Sequence, residues 1–262
     1  MKKIPAAAFL FLLCSFTSGN YTLVSSIPTG AGFFTTDNIG NSYLVTDNQV
    51  LKYDTSGKQV SVFSEKNSGI ISSVDASNAM KLLVFYRDFA QLLILDQKLS
   101  LNTRISLRDI GIMQPMLVCT AANGDLWTYD QQDFQLKRLN SKLEITHESG
   151  NLSQLTGSEI KPAYMAEAGD LLYISNPAAG IMVFDSYGSY IKTIPLKNIN
   201  TFQVIESSLL YFSGGELKSY HLKTFEDKTI ALPMQDSTII SARIEKQNLF
   251  ILAKEKFELY SF

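Results

Sequence analysis

The stretch GNSYLVTDNQVLKYDTSGK, residues Gly40 to Lys58, holds two short apolar runs bounded by Asn, Asp, Ser and Gly. Runs of four to eight aromatic and branched residues between such punctuators read as strands joined by tight turns. A turn at Asn38–Asn41 leads into the strand Tyr43–Thr46, and Asp47–Gln49 turns the chain back. Val50–Tyr53 then runs to a turn at Asp54–Gly57, and Gln59–Phe63 forms the next strand. Gly32–Thr36 is a strand ahead of all these, so the segment is a four-stranded antiparallel meander.

Working outward, the same unit can be laid down five more times. The second strands are SYLVTD from Ser42, LLVFYR from Leu82, DLWTYD from Asp125, LLYISN from Leu171, LLYFSG from Leu209 and LFILAK from Leu249. The third strands end at Tyr53-Asp54, Leu95-Asp96, Leu139-Asn140, Phe184-Asp185, Tyr220-His221 and Tyr260-Ser261, at intervals of 42, 44, 45, 36 and 40 residues. An apolar strand after a polar turn, repeated at this spacing, describes blades that bury their faces against one another. The predicted fold is all-β: a six-bladed β-propeller of four-stranded antiparallel blades.

The two ends of the repeat make an internal check. The sixth unit reaches Phe262 with three strands, while Tyr21–Ile27 (YTLVSSI) precedes the first unit with no partner. Setting that segment beside Phe257–Ser261 completes the last blade, closes the ring and removes an exposed edge.

The Gly40–Lys58 unit resembles an NHL-type propeller repeat, roughly G-N-x-Y-V-x-D, a short gap, a strand ending in an aromatic and Asp, then x-x-G. The gap after Asp47 is shorter than that pattern has, and blades two to six keep the apolar strands but few of the glycines. Asp75–Asp96 (DASNAMKLLVFYRDFAQLLILD) is also similar to an uncharacterised family of exported propellers of Bacteroidota. Both resemblances imply a fold and no particular activity.

At the amino terminus, Lys2 and Lys3 precede an apolar run from Ile4 to Cys14, followed by Ser15, Thr17, Ser18 and Gly19. A basic start, a short apolar core and a small-residue exit read as a secretory signal peptide over residues 1–19. The run is shorter than the roughly 20 apolar residues that span a bilayer. The expected organisation is a signal peptide followed by one propeller domain over residues 20–262, exported to the periplasm or the outer membrane. A lipid anchor at Cys14 is disfavoured, because Leu13 stands where that processing wants a small residue.

The 45% hydrophobic and 18% charged content excludes a disordered chain. Cleavage would change the net charge of −2 to −4 by removing the two lysines. An acidic chain without a basic run has no electrostatic footprint for nucleic acid. Only Cys119 would remain, which excludes an internal disulfide and reads as a small core residue in the apolar stretch Met116–Thr120.

Chemistry-bearing residues are sparse. The two histidines, His147 and His221, fall on an outer strand and an outer turn, without a nucleophile beside them or a zinc-ligand spacing. Calcium-dependent lactonase propellers resemble this fold and imply convergent carboxylate and Asn ligands, for which Asp75, Asn78, Asp109 and Glu167 can be nominated. Asp75, Asn78 and Glu167 belong to lower turns and Asp109 to an upper link, so this set is not expected to converge. Gly214-Gly215 reads as a hairpin turn rather than a phosphate loop. No catalytic, metal or cofactor residue is assigned.

One constellation stands out: Tyr86-Arg87-Asp88-Phe89, on the turn between strands two and three of blade two. Aromatic and Arg side chains on an exposed turn have the composition of protein-interface anchors. The other reading of the same turn is that Tyr86 and Phe89 tuck into the next blade while Arg87 and Asp88 pair locally. The links Leu107–Pro115 and Glu148–Lys161 are long and rise on the same upper face. Asn151-Leu152-Ser153 has the form of a glycosylation sequon, and Asp236-Ser237-Thr238 that of a bacterial O-glycosylation site. The expected function is a non-catalytic cell-envelope scaffold or adaptor that binds protein partners of the outer membrane, with no span of its own. The alternatives are a divalent-metal-dependent lactonase or hydrolase, and a binder of carbohydrate or another small ligand through channel aromatics.

Overall fold

The computed structural model describes residues 21–234 and 236–262, so the segment read as a signal peptide, with Cys14, lies outside the described residues. An outer strand β1 (Thr22–Pro28) comes first. Blade one is β2–β5 (Phe33–Thr36, Ser42–Val45, Gln49–Tyr53, Gln59–Ser64), and blade two is β6–β9 (Ser73–Asp75, Leu82–Tyr86, Gln91–Leu95, Leu101–Ser106). Blade three is β10–β13 (Pro115–Thr120, Leu126–Asp130, Gln135–Leu139, Ile145–Glu148), and blade four is β14–β17 (Tyr164–Ala168, Leu171–Asn176, Gly180–Asp185, Tyr190–Ile194). Blade five is β18–β21 (Gln203–Ile205, Ser208–Ser213, Glu216–His221, Asp227–Ile230), and β22–β24 (Ile239–Glu245, Asn248–Ala253, Lys256–Ser261) begin blade six.

Each blade is a four-stranded antiparallel sheet, and the sixth is completed by β1 along β24. Thr22 faces Ser261 and Pro28 faces Lys256, with one irregularity between Leu23 and Ser25. The segment expected to close the ring does so, shifted by one residue from the expected bounds.

Six hydrophobic clusters fill the spaces between successive blades. One joins Tyr43, Val45 and Val50 of blade one to Val84, Tyr86 and Leu93 of blade two. The cluster that closes the circle joins Phe250, Leu252 and Phe257 of blade six to Phe34 and Leu44 of blade one. Each buried Leu, Val or Phe stabilises by about 1.5–3 kcal/mol. A blade without neighbours would lose this on both faces, which is why the repeats stand only as a ring.

Polar links reinforce the lower ends of these interfaces. Lys52 on β4 donates from Nζ to the Gln97 carbonyl of the next blade at 2.7 Å. Arg138, at the matching position on β12, donates from Nη1 to the Ser186 carbonyl of blade four at 2.8 Å. Trp127 of blade three donates from Nε1 to Glu167 of blade four at 2.5 Å and lies under the Arg138 guanidinium.

The Asp or Asn that ends four of the third strands has a local purpose. Oδ1 of Asp54 accepts from the N–H groups of Ser56 and Lys58, and Oδ1 of Asp96 from those of Lys98 and Ser100. Asn140 and Asp185 repeat the pattern. A side chain accepting two N–H groups fixes the lower outer turn of each of these four blades.

Candidate binding face and central channel

Inner strands run from the upper face downward, so the turns between second and third strands share the upper face with the links between blades. On the turn after β7 the structure separates the four singled-out residues. Tyr86 is 0% exposed and packs in the core between blades one and two. Arg87, Asp88 and Phe89 are exposed, Phe89 at 52%. Tyr86 is thus a packing residue, because the last residue of β7 still points into the blade interface.

The turn is held firmly. Ala90, at φ 51°, donates to the Arg87 carbonyl and accepts from the Leu107 N–H. The Arg87 N–H donates to Ser72 Oγ at 3.1 Å. Phe89 lies over Gly69 in the link between blades one and two.

The two long links are anchored as well. Leu107–Pro115 contains a 3-10 turn at Arg108–Ile110 and buries Leu107 and Ile112. Glu148–Lys161, polar in sequence, contains a short helix α1 (Leu152–Thr156) and buries Leu152 and Ile160. Asn151 caps that helix by accepting from the Gln154 N–H. Between these anchors the upper face exposes Ile70, Phe89, Met113, Phe134 and Leu155 on neighbouring links and turns of blades one to four.

Among the described residues the central channel opens into an upper and a lower cavity, with a smaller recess beside them between β6, β10 and β14. The lower, about 540 Å³, is lined by Asp75, Glu167, Glu206 and Glu245 together with Arg243 and Lys246. Asp75 is already committed, accepting from the N–H groups of Ser77 at 2.8 Å and Thr120 at 2.6 Å. Burial raises the Glu245 carboxyl above its usual value, against the pull of Arg243. Asn78 borders a neighbouring lower recess with Glu167, and Asp109 sits in the upper 3-10 turn, so the four nominated calcium ligands are not brought together. Among the described residues no group of three or more His, Cys, Asp or Glu is placed to hold a metal.

The upper cavity, about 380 Å³, has aromatic walls that sequence reading missed: Phe33, Tyr164, Phe202 and Phe212. They come from blades one, four and five and the link before β18, so nothing in their spacing gathers them. Tyr164 and Phe202 meet edge to face at 5.0 Å. Arg243 borders both cavities, beside the Tyr164 hydroxyl and with Nε 3.4 Å from Thr36 Oγ1.

His147 lies on β13 against the Tyr187 ring, and His221 Nδ1 accepts from the Thr224 N–H. Cys119 is buried. Gly214 and Gly215 form a two-residue hairpin with both φ angles positive, as that turn requires. No helix among the described residues is long and apolar enough to cross a membrane.

The ring of six four-stranded sheets makes the chain a six-bladed β-propeller. It is similar in fold to a catalytically inactive virginiamycin B lyase from Staphylococcus aureus, solved with quinupristin, at TM-score 0.65 and 12% identity over 92% of this chain and 99% of that one. It is similar to BamB from Moraxella catarrhalis at TM-score 0.54 and 11% identity, over 93% and 98% of the two chains. The extracellular domain of a hybrid two-component system from B. thetaiotaomicron matches at TM-score 0.56 and 15% identity, over 86% of this chain and 33% of that one. No protein-family model and no curated protein sequence matches the chain. At these identities the likeness is one of fold alone.

Proposed function

We propose that this propeller is a non-catalytic scaffold, exported to the cell envelope, that docks protein partners on the upper face of blades one to four. The observation that carries this reading is the set of large apolar side chains exposed there, Ile70, Phe89, Met113, Phe134 and Leu155, on links pinned by buried neighbours. Aromatic and Met side chains carried beside Arg87 and Arg108 on pinned links suit an interface core, because the backbone that presents them is already ordered before binding. A structural neighbour, BBS1N solved in complex with ARL6, supports a partner-holding role. The segment read as a signal peptide supports export.

Capture of envelope proteins by the immobilised propeller tests this reading. Arg87→Ala with Phe89→Ala should abolish stoichiometric capture while the thermal midpoint stays nearly unchanged. Undiminished capture would remove the upper turn from the interface. One tightly held Ca²⁺ per purified chain would favour the metal-dependent enzyme instead.

A further inference from the structure

We propose that the upper end of the channel is a binding site for a small monocarboxylate with an aromatic or apolar body. Its volume of about 380 Å³ falls within the range of ligand pockets, roughly 300–1,000 Å³. Phe33, Tyr164, Phe202 and Phe212 line it, and such rings take up flat apolar groups by edge and face contact.

The charge in the cavity selects the ligand's head group. Among the described residues that line it, Arg243 alone is charged. Its Nε contact to Thr36 Oγ1 is long, at 3.4 Å, and no salt bridge within 4.0 Å joins it to a described carboxylate. Asp75, in the adjoining recesses, has both oxygens occupied by backbone N–H groups. Glu245, two residues further along β22 in the lower cavity, feels the pull of Arg243, but burial raises its carboxyl and opposes the charged form. A guanidinium in a cleft walled by rings is poorly hydrated, and a carboxylate matches its planar fork with two parallel hydrogen bonds. One guanidinium at the cavity floor balances one negative charge, so the site suits a monoanion better than a phosphate dianion.

The test titrates 3-phenylpropionate and its neutral amide against the whole chain by ligand-observed NMR. The acid should bind about tenfold or more tightly than the amide, equivalent to about 1.4 kcal/mol. Arg243→Gln should reduce the acid to the affinity of the amide, and Phe212→Ala should weaken both. Equal binding of acid and amide by the wild type, or binding by neither up to about 10 mM, overturns the proposal. So does a Phe212→Ala protein that binds the acid unchanged. If Arg243→Gln fails to fold, the acid-to-amide ratio of the wild type and the Phe212→Ala result decide. Loss of partner capture in the Arg87 and Phe89 variant leaves these readings untouched, so the two proposals fail separately.

Discussion

Gly57, on the lower outer turn of blade one, sits so close to Ser25 of β1 that a Cβ added to the glycine would lie 2.3 Å from the Ser25 Cβ. The lower outer turn of blade one thus touches the strand that completes blade six. Gly57 also has φ +79°, a conformation that costs a residue with a Cβ about 1–3 kcal/mol. Gly57→Ala should lower the thermal midpoint by both effects. Ser25→Gly in the same chain should relieve the steric part and leave the backbone part. A chain lacking residues 1–28 should lose amide-exchange protection along Lys256–Ser261, whose outer partner is gone.

Lys137 and Asp130 form an ion pair at 3.1 Å with side chains 4% and 1% exposed. Asp133 takes a second bond from the same ammonium at 2.5 Å. Removing one member of a buried pair leaves the other charge uncompensated, at a cost of about 3–5 kcal/mol. Lys137→Met should therefore shift the urea midpoint strongly downward. Combining it with Asp130→Asn should recover part of the loss: the amide oxygen still accepts from the Gln114 and Gln132 N–H groups, while the Met113 N–H loses its partner.

Tyr86 and Phe89 should separate packing from presentation on a single turn. Tyr86→Ala empties a fully buried site and should cost about 3–5 kcal/mol. Phe89→Ala, at a half-exposed ring, should cost about 1 kcal/mol or less. Denaturant titration of the two variants measures the contrast, and a Phe89 loss as large as that of Tyr86 would make Phe89 structural.

The outer-turn carboxylates set an acid limit. The Ser56 hydroxyl holds the Asp54 carboxyl below its usual range, joined by the Lys58 and Ser56 N–H groups. The Ser100 N–H does so for Asp96, joined by that of Lys98. A carboxyl held lower in the fold than in the unfolded chain stabilises above the unfolded value, and this stability is lost as pH falls through the folded value. Unfolding free energy should therefore decline below about pH 4, near the ordinary Asp value. Asp54→Asn with Asp96→Asn should blunt that decline, because Asn140 shows that the amide makes the same turn. Glu245 has the opposite sign: burial raises it, so its share of stability is present at low pH and lost as pH rises. Glu245→Gln should stabilise the neutral protein.

Burial pushes the Cys119 thiol well above its ordinary value, with Asp75 and Glu167 acting in the same direction. A thiol reagent should label the native protein only at the rate at which it opens, and the unfolded chain at once.

The blade repeat was legible because a strand in a propeller states its role locally. Apolar residues between turn formers fall at matching places six times, and Asp54, Asp96, Asn140 and Asp185 mark the same turn. For Tyr86 and Phe89 the sequence left packing and presentation both open, since a turn and the last residue of a strand look alike; the fold buries Tyr86 and exposes Phe89. Leu152 and Ile160, in a link read as long and polar, carry no periodicity that would announce their place in the core.

By itself the sequence determined the number of blades, their strand order and the meeting of the two ends, all of which follow from local alternation of apolar runs and turns. Only the tertiary structure decided that Arg243 would stand in a channel beside Tyr164, and that Phe33, Phe202 and Phe212 would wall one cavity. These residues lie up to 210 positions apart along the chain, from Phe33 to Arg243. They meet because closing the ring turns the inner strands toward a common axis, a geometric consequence that no local pattern encodes.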